Sequence, residues 1–217
     1  IQSENKEKIE FIQNKALELS LFLSLPATIA LLIASEEITS SLFGYGSFNE
    51  MSVKNSANAL FYFALGLPAF SFIKIFSSFL FARHNTKIPF YFSVISVIIN
   101  IIISVYYFNK VGFIIIPVAT TLSSWLNAIM LLIYLTYKKY YLINLTFIKS
   151  LLKISLSTII TSYIFYYLIN YFSDNLSYNS EYKLIVIILL VIVTFIIYIL
   201  ISILTKAFKI SDIKLKY

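Results

Sequence analysis

LIVIILLVIVTFIIYILISILT, residues Leu184–Thr205, contains no charged side chain. A helix rises about 1.5 Å per residue, so a stretch of this length crosses a hydrocarbon core of roughly 30 Å. Working back along the chain, five further stretches are apolar enough to do the same. Ile154–Ser173, Val111–Tyr137, Ile88–Phe108 and Leu19–Ser35 carry no charge, and the last of these extends back through Ala16. Asn58–Ala82 carries a single one, Lys74. Irregular backbone is not stable facing lipid, and a β-barrel would show alternating segments of about 10 residues instead of continuous apolar runs. The sequence therefore predicts an all-α, polytopic transmembrane helical bundle of six spans.

Composition agrees. Of 217 residues, 59% are hydrophobic and only 12% are charged, where a water-soluble domain carries roughly a quarter charged residues. The net charge of +7 sits in short clusters between apolar runs, with no basic-aromatic module of the kind that binds nucleic acid. With no cysteine, neither a disulfide framework nor a thiolate metal site is possible. The single histidine, His84, lies in a polar loop and reads as a bystander. The chain opens on IQSENKEKIE, which lacks the basic start and apolar stretch of a secretory signal. Residues 1–15 are expected to be a cytoplasmic segment cut from a longer chain.

Six spans place both termini on one side. That side holds Lys6, Lys8, Lys15, Arg83, Lys87, Lys138, Lys139, Lys149, Lys153, Lys206, Lys209, Lys214 and Lys216; the other holds only Lys54, Lys110 and Lys183. The excess predicts cytoplasmic termini. The expected division is four spans over 16–137, a cytoplasmic linker at 138–148, two extra spans over 149–206 and a cytoplasmic tail at 207–217. Within the long connection Glu36–Ala57, Ile38–Phe43 is expected to add an interfacial turn before the Gly44-Tyr45-Gly46 bend.

Lys74 is the sharpest single feature. Nine residues before Arg83, it lies roughly 13 Å deep by helical rise. Either it snorkels along its own stem to the interface, or it faces a water-filled cavity and attracts an anionic substrate. Pro26, Pro68 (after Gly66) and Pro117 fall inside expected spans. They are ordinary membrane-helix kinks or devices that shape a transport cavity. Asn100 and Ser104 share a face of the third span, and Thr120, Thr121, Ser123, Ser124 and Asn127 form a polar stripe on the fourth. Small polar residues of this kind bind helix to helix; the other reading is an oxygen-lined cation or sugar site, with no carboxylate in it. The last two spans serve as lipid-facing anchors or as a groove for a long lipid tail. No HExxH, GxSxG or phosphate-cradling loop is present, so no enzyme is indicated.

Three stretches together resemble the MurJ (MviN) family of lipid II flippases, in the MOP exporter superfamily. Leu42-Phe43-Gly44-Tyr45-Gly46-Ser47-Phe48 looks like the family's outer loop LFxxGxF. Tyr62-Phe63-Ala64-Leu65-Gly66-Leu67-Pro68-Ala69-Phe70, running on through Lys74 to Phe81-Ala82-Arg83 and Thr86-Lys87-Ile88-Pro89, is similar to its YALGLPAF…K…FYAR signature. Ser124-Trp125-Leu126-Asn127-Ala128 resembles the end of its twelfth helix. The likeness covers about residues 16 to 135.

The resemblance implies helices nine to fourteen of a fourteen-helix transporter in the bacterial cytoplasmic (inner) membrane. It also implies alternating access for lipid II, a polyprenyl-pyrophosphate-linked disaccharide-pentapeptide, among surrounding membrane lipids. The remaining partner would be the missing N-terminal eight helices, which hold the family's essential arginines. Lys74 and Arg83 become substrate-binding residues, Pro26, Gly66, Pro68 and Pro117 cavity-shaping ones, and helices thirteen and fourteen the tail groove. A sodium site of the family, for Na+ as coupling ion, aligns with Asn100, Ile116 and Thr120, while Ser104 and Asn85 stand where the family has Asp. Beyond that ion no cofactor is implied. The other readings are a related MOP-type exporter of another lipid-linked oligosaccharide or drug, and a polytopic membrane glycosyltransferase using Glu36, Glu37 or Glu50.

Overall fold

A computed structural model describes residues 2–207, and the side-chain surroundings of residues 7–207. The expected cytoplasmic tail beyond Ala207, with Lys209, Lys214 and Lys216, and the side chain of Lys6 lie outside the described residues. Among those described there is no strand. The helices are α1 (Gln2–Ile33), α2 (Ser35–Phe43), α3 (Glu50–Ala64), α4 (Leu67–Phe81), α5 (Lys87–Val111), α6 (Ile115–Tyr137), α7 (Leu145–Tyr171), the short α8 (Ser173–Leu176) and α9 (Lys183–Leu204).

Four helical runs are long and apolar enough to cross a bilayer: Glu7–Ile33, Lys87–Tyr137, Leu145–Tyr171 and Lys183–Leu204. Counting α3 and α4 together as one broken span makes five. The run Lys87–Tyr137 folds back on itself at Gly112. Asn100 meets Thr120, Ser93 meets Asn127 and Phe92 meets Tyr134, a nested order that only an antiparallel pair produces. Gly112 makes the reversal with φ +75°, a conformation that a Cβ disfavours.

Several boundaries differ from the sequence reading. α1 runs through the polar opening, because no glycine or proline before Pro26 interrupts a sequence rich in Glu, Lys and Leu. α7 starts at Leu145, not near 149. Asn144 Oδ1 accepts the Phe147 N–H at 2.8 Å, capping a helix whose second turn begins with Lys149. The interfacial turn expected at Ile38–Phe43 belongs to a nine-residue helix, α2.

The three prolines occupy different places in their helices. Pro26 alone lies in a helix interior, where it removes one backbone hydrogen bond. Pro68 and Pro117 sit in the first turns of α4 and α6. There the missing N–H would have had no partner inside the helix; the bend at Pro68 is the 42° break between α3 and α4.

The chain divides into two compact units: Leu65–Ile148 with the helix up to Ser24, and Leu25–Ala64 with the chain from Lys149. The division cuts across the expected one, since the last two long helices group with α2 and α3. In the first unit α6 packs against both α4 and α5, burying Leu80, Ala119, Leu131 and Leu135 completely. In the second, Ala34, Phe165, Ile169, Leu176, Ile187 and Leu190 form one core. Outside these cores the long helices stay apolar and exposed: Val105 is 71% and Leu204 81% accessible. A helix that is apolar all round is covered by lipid or by more protein.

Candidate functional site

The site grows from the interruption before α4. Regular hydrogen bonding restarts with Phe70 N–H donating to Gly66 O at 2.9 Å. The Leu65 carbonyl, left at the break, accepts the Trp125 indole N–H from α6 at 3.0 Å. Gly66 lies so close to α6 that a Cβ there would come 3.0 Å from Thr121 Oγ1 and from the Phe70 ring. Trp125 also meets Phe72 edge to face, at 6.2 Å between centroids. A break that in lipid would expose polar backbone is thus closed by protein.

The packed face of α4 carries Pro68, Ala69, Phe76, Phe79 and Leu80. At 100° per residue, Lys74 falls opposite this row and shares its own face with Ser77 and Phe81. Lys74 is exposed and has no ion pair among the described residues. Ser77 and Phe81 line an open cleft of about 630 Å³ between α4 and the start of α5, together with Thr86, Lys87, Pro89, Phe90, Tyr91 and Ser93. Lys74 lies one turn beyond Ser77 on that face. The sequence reading missed Ser77, Ser93 and the position of Lys87. The i+3 and i+7 spacing from Lys74 was the available signal for the α4 members.

Arg83, expected to bind substrate, has its guanidinium committed to the chain itself. It donates to Phe79 O at 2.8 Å and Tyr140 O at 3.1 Å, and stacks 4.7 Å from the Tyr140 ring centroid. Gln13 of α1 donates to the same Tyr140 carbonyl at 3.2 Å. Next to it the buried Tyr141 hydroxyl donates to Asn14 Oδ1 at 3.1 Å. Burial, helped by the charge of Glu18, pushes the Tyr141 phenol up to about 12. His84 turns the chain after α4 with φ +56°.

The residues aligned with a sodium site come together, but as a hydrogen-bonded set. The Asn100 amide N–H donates to Thr120 Oγ1 at 3.0 Å and to Ser123 Oγ at 3.3 Å, and Thr120 Oγ1 donates to Ile116 O at 2.8 Å. Ser104 Oγ is buried without a partner. Among the described residues no group of three His, Cys, Asp or Glu is placed to hold a metal. The geometry fits helix-to-helix adhesion.

A second residue missed by the sequence reading is Lys183, taken there as a loop cation. It is 1% accessible at the start of α9. Its ammonium donates to Gly44 O at 2.8 Å and Tyr178 O at 2.6 Å, between the Tyr45 and Tyr178 rings at 4.4 and 4.6 Å. Ser41 Oγ donates to its carbonyl at 3.2 Å, and the Tyr178 hydroxyl donates to Phe48 O at 2.9 Å. The Gly44–Phe48 bend is therefore latched to α9 by a lysine that has no carboxylate partner among the described residues.

Known proteins share this framework. A family model described as lipid II flippase MurJ matches residues 1–187. A probable lipid II flippase MurJ of Rickettsia prowazekii is 38% identical over 125 residues, covering 58% of this chain and 25% of that protein. One from Rhizobium meliloti is 38% identical over 127 residues, 58% and 24% respectively. The lipid II flippase MurJ of Thermosipho africanus is 27% identical over 158 residues, 73% and 32%. A solved lipid II flippase MurJ in an inward closed conformation superposes with TM-score 0.74 at 25% identity, covering 94% of this chain and 41% of that one. The matches thus span about a quarter of the first two relatives' length. All-helical architecture, exposed apolar helices and a family match over most of the residues lead to one assignment: this chain belongs to the MurJ family of lipid II flippases.

Proposed function

We propose that these residues form part of a transporter that moves lipid-linked peptidoglycan precursor across the bacterial inner membrane by alternating access. Six spans with both ends cytoplasmic make up this part, α3 with α4 counting as one broken span and α5 and α6 as two. The rest of the transporter is supplied by residues outside this chain, in keeping with the fraction of each relative that the matches cover.

The observation that carries the reading is Lys74 on the face of α4 that opens into the 630 Å³ cleft, with Lys87 in the cleft wall. Lys87 in the cleft wall, with Lys74 one turn beyond Ser77 on the same face of α4, suits a pyrophosphate-linked head group, because positive charge in a low-dielectric surround concentrates anions. α7 and α9 supply the tail groove in this reading.

The test is complementation of a flippase-depleted strain by a whole flippase carrying these residues. Lys74→Gln is expected to abolish rescue and Lys74→Arg to keep part of it. Full rescue by Lys74→Gln refutes the role.

A further inference from the structure

In the first unit a hollow of about 110 Å³ lies on the side of α4 away from Lys74. Leu17 of α1, Phe72 and Phe76 of α4, Trp125 and Leu132 of α6 and Tyr141 wall it, and it presents only apolar surface. Water finds no partner in such a space, and left empty it forfeits the dispersion contacts of its lining. The walls are locked in place. Trp125 is held by the Leu65 carbonyl and meets Phe72 edge to face, Phe72 stacks on Phe76 at 5.6 Å, and Tyr141 is fixed to Asn14. From Trp125 to Leu132 the hollow follows α6 for about 10 Å by helical rise, toward the segment 138–144 that joins α6 to α7. Its side is open: Ile129 and Ile143 both line it, and each is 51% accessible.

The polar end of this slot is basic. Lys138 and Lys139 open the segment that carries Tyr141 and Ile143; both are exposed, and neither has an ion pair among the described residues. Lys138 stands beside the exposed Tyr137 ring, 5.6 Å from its centroid. Glu18, whose charge reaches Tyr141, is already paired with Lys15 at 2.8 Å. We propose that the slot holds one acyl chain of an anionic phospholipid, with the phosphate on Lys138 and Lys139. The apolar part follows the helix into the hydrocarbon, and the two ammonium groups stand at the end where a head group lies. Another protein helix is a poorer occupant, because its width of about 10 Å exceeds what a hollow of this volume admits. The inference stands apart from the transport reading, since Phe72 and Phe76 are on the face of α4 opposite Lys74.

Trp125 is the one tryptophan of the chain and lines the slot, so its fluorescence reports the occupant. Bromine on an acyl chain quenches an indole that it touches. The full chain is reconstituted in phosphatidylcholine vesicles, and chain-brominated phosphatidylglycerol or chain-brominated phosphatidylcholine is added in increasing mole fraction. Half-maximal quenching is expected at an about fivefold lower fraction of the anionic lipid, the effect of roughly one lysine at a membrane surface. Lys138→Gln together with Lys139→Gln should bring the two lipids level; both side chains are exposed, so the fold is undisturbed. Ala128→Leu, which narrows the slot, should also remove the preference. Equal quenching by the two lipids overturns the proposal, as does a preference that either variant keeps. Relief of quenching by unbrominated polyprenyl phosphate, but not by unbrominated phosphatidylglycerol, overturns it too and gives the slot to an isoprenoid chain.

Discussion

Trp125 and Leu65, sixty residues apart, are joined by one hydrogen bond: the indole N–H of α6 donates to the carbonyl at the break before α4. The bond explains how an interrupted helix persists among apolar neighbours. Trp125→Phe keeps much of the contact with Phe72 but leaves the carbonyl unpaired. The expected cost is about 1–3 kcal/mol, read as a lower melting temperature in detergent. An unchanged melting temperature would show that another donor closes the break.

Gly66 is needed for closeness, not for its backbone angle. Its φ of −85° is open to any residue, whereas a Cβ meets Thr121 Oγ1 and Phe70 at 3.0 Å. Gly66→Ala is therefore expected to destabilise by about 1–3 kcal/mol through overpacking. Thr121→Ala in the same chain should recover part of that loss, giving a favourable coupling of about 0.5 kcal/mol or more in a double-mutant cycle. Simple additivity of the two changes would place the strain elsewhere.

Lys183 holds the Gly44–Phe48 bend to α9. Lys183→Met fills similar volume but strands two carbonyls and removes the cation from between two tyrosine rings. A loss on the order of 2 kcal/mol is expected, together with faster proteolysis within residues 44–48. Protection equal to the parent chain would mean the bend holds without its lysine.

Tyr141 makes stability depend on alkaline pH. Its phenol is raised from 10.0 to about 12, so the folded chain favours the neutral form. That contribution is complete below pH 10 and disappears as pH rises through about 12. Tyr141→Phe should cost about 1 kcal/mol at neutral pH, by stranding Asn14 Oδ1. Relative to the parent, it should also lose less stability between pH 10 and 12. Parallel stability curves over that window would exclude Tyr141 as the responsible group.

Much of the architecture could be read directly. Long apolar runs with at most one charge dictate helices in lipid, because a bilayer leaves the backbone no other way to satisfy its polar groups. Lys74 stood out for a similar reason: one ammonium in an apolar run costs free energy unless it is used. The polar stripe from Thr120 to Asn127 was open to adhesion between helices or to an oxygen-lined site, and Asn100 meets it by hydrogen bonds.

What the sequence by itself determined was which apolar stretches are helical and which medium suits them, since both follow from local composition and spacing. Tertiary structure alone decided the partners. Trp125 found the Leu65 carbonyl across sixty residues and Lys183 found Gly44 across 139, while Arg83 met the Tyr140 carbonyl. Hydropathy cannot predict such pairings, because each depends on a chain reversal far from both residues. The same reversals turned the charge of Lys183 from a loop cation into a buried latch.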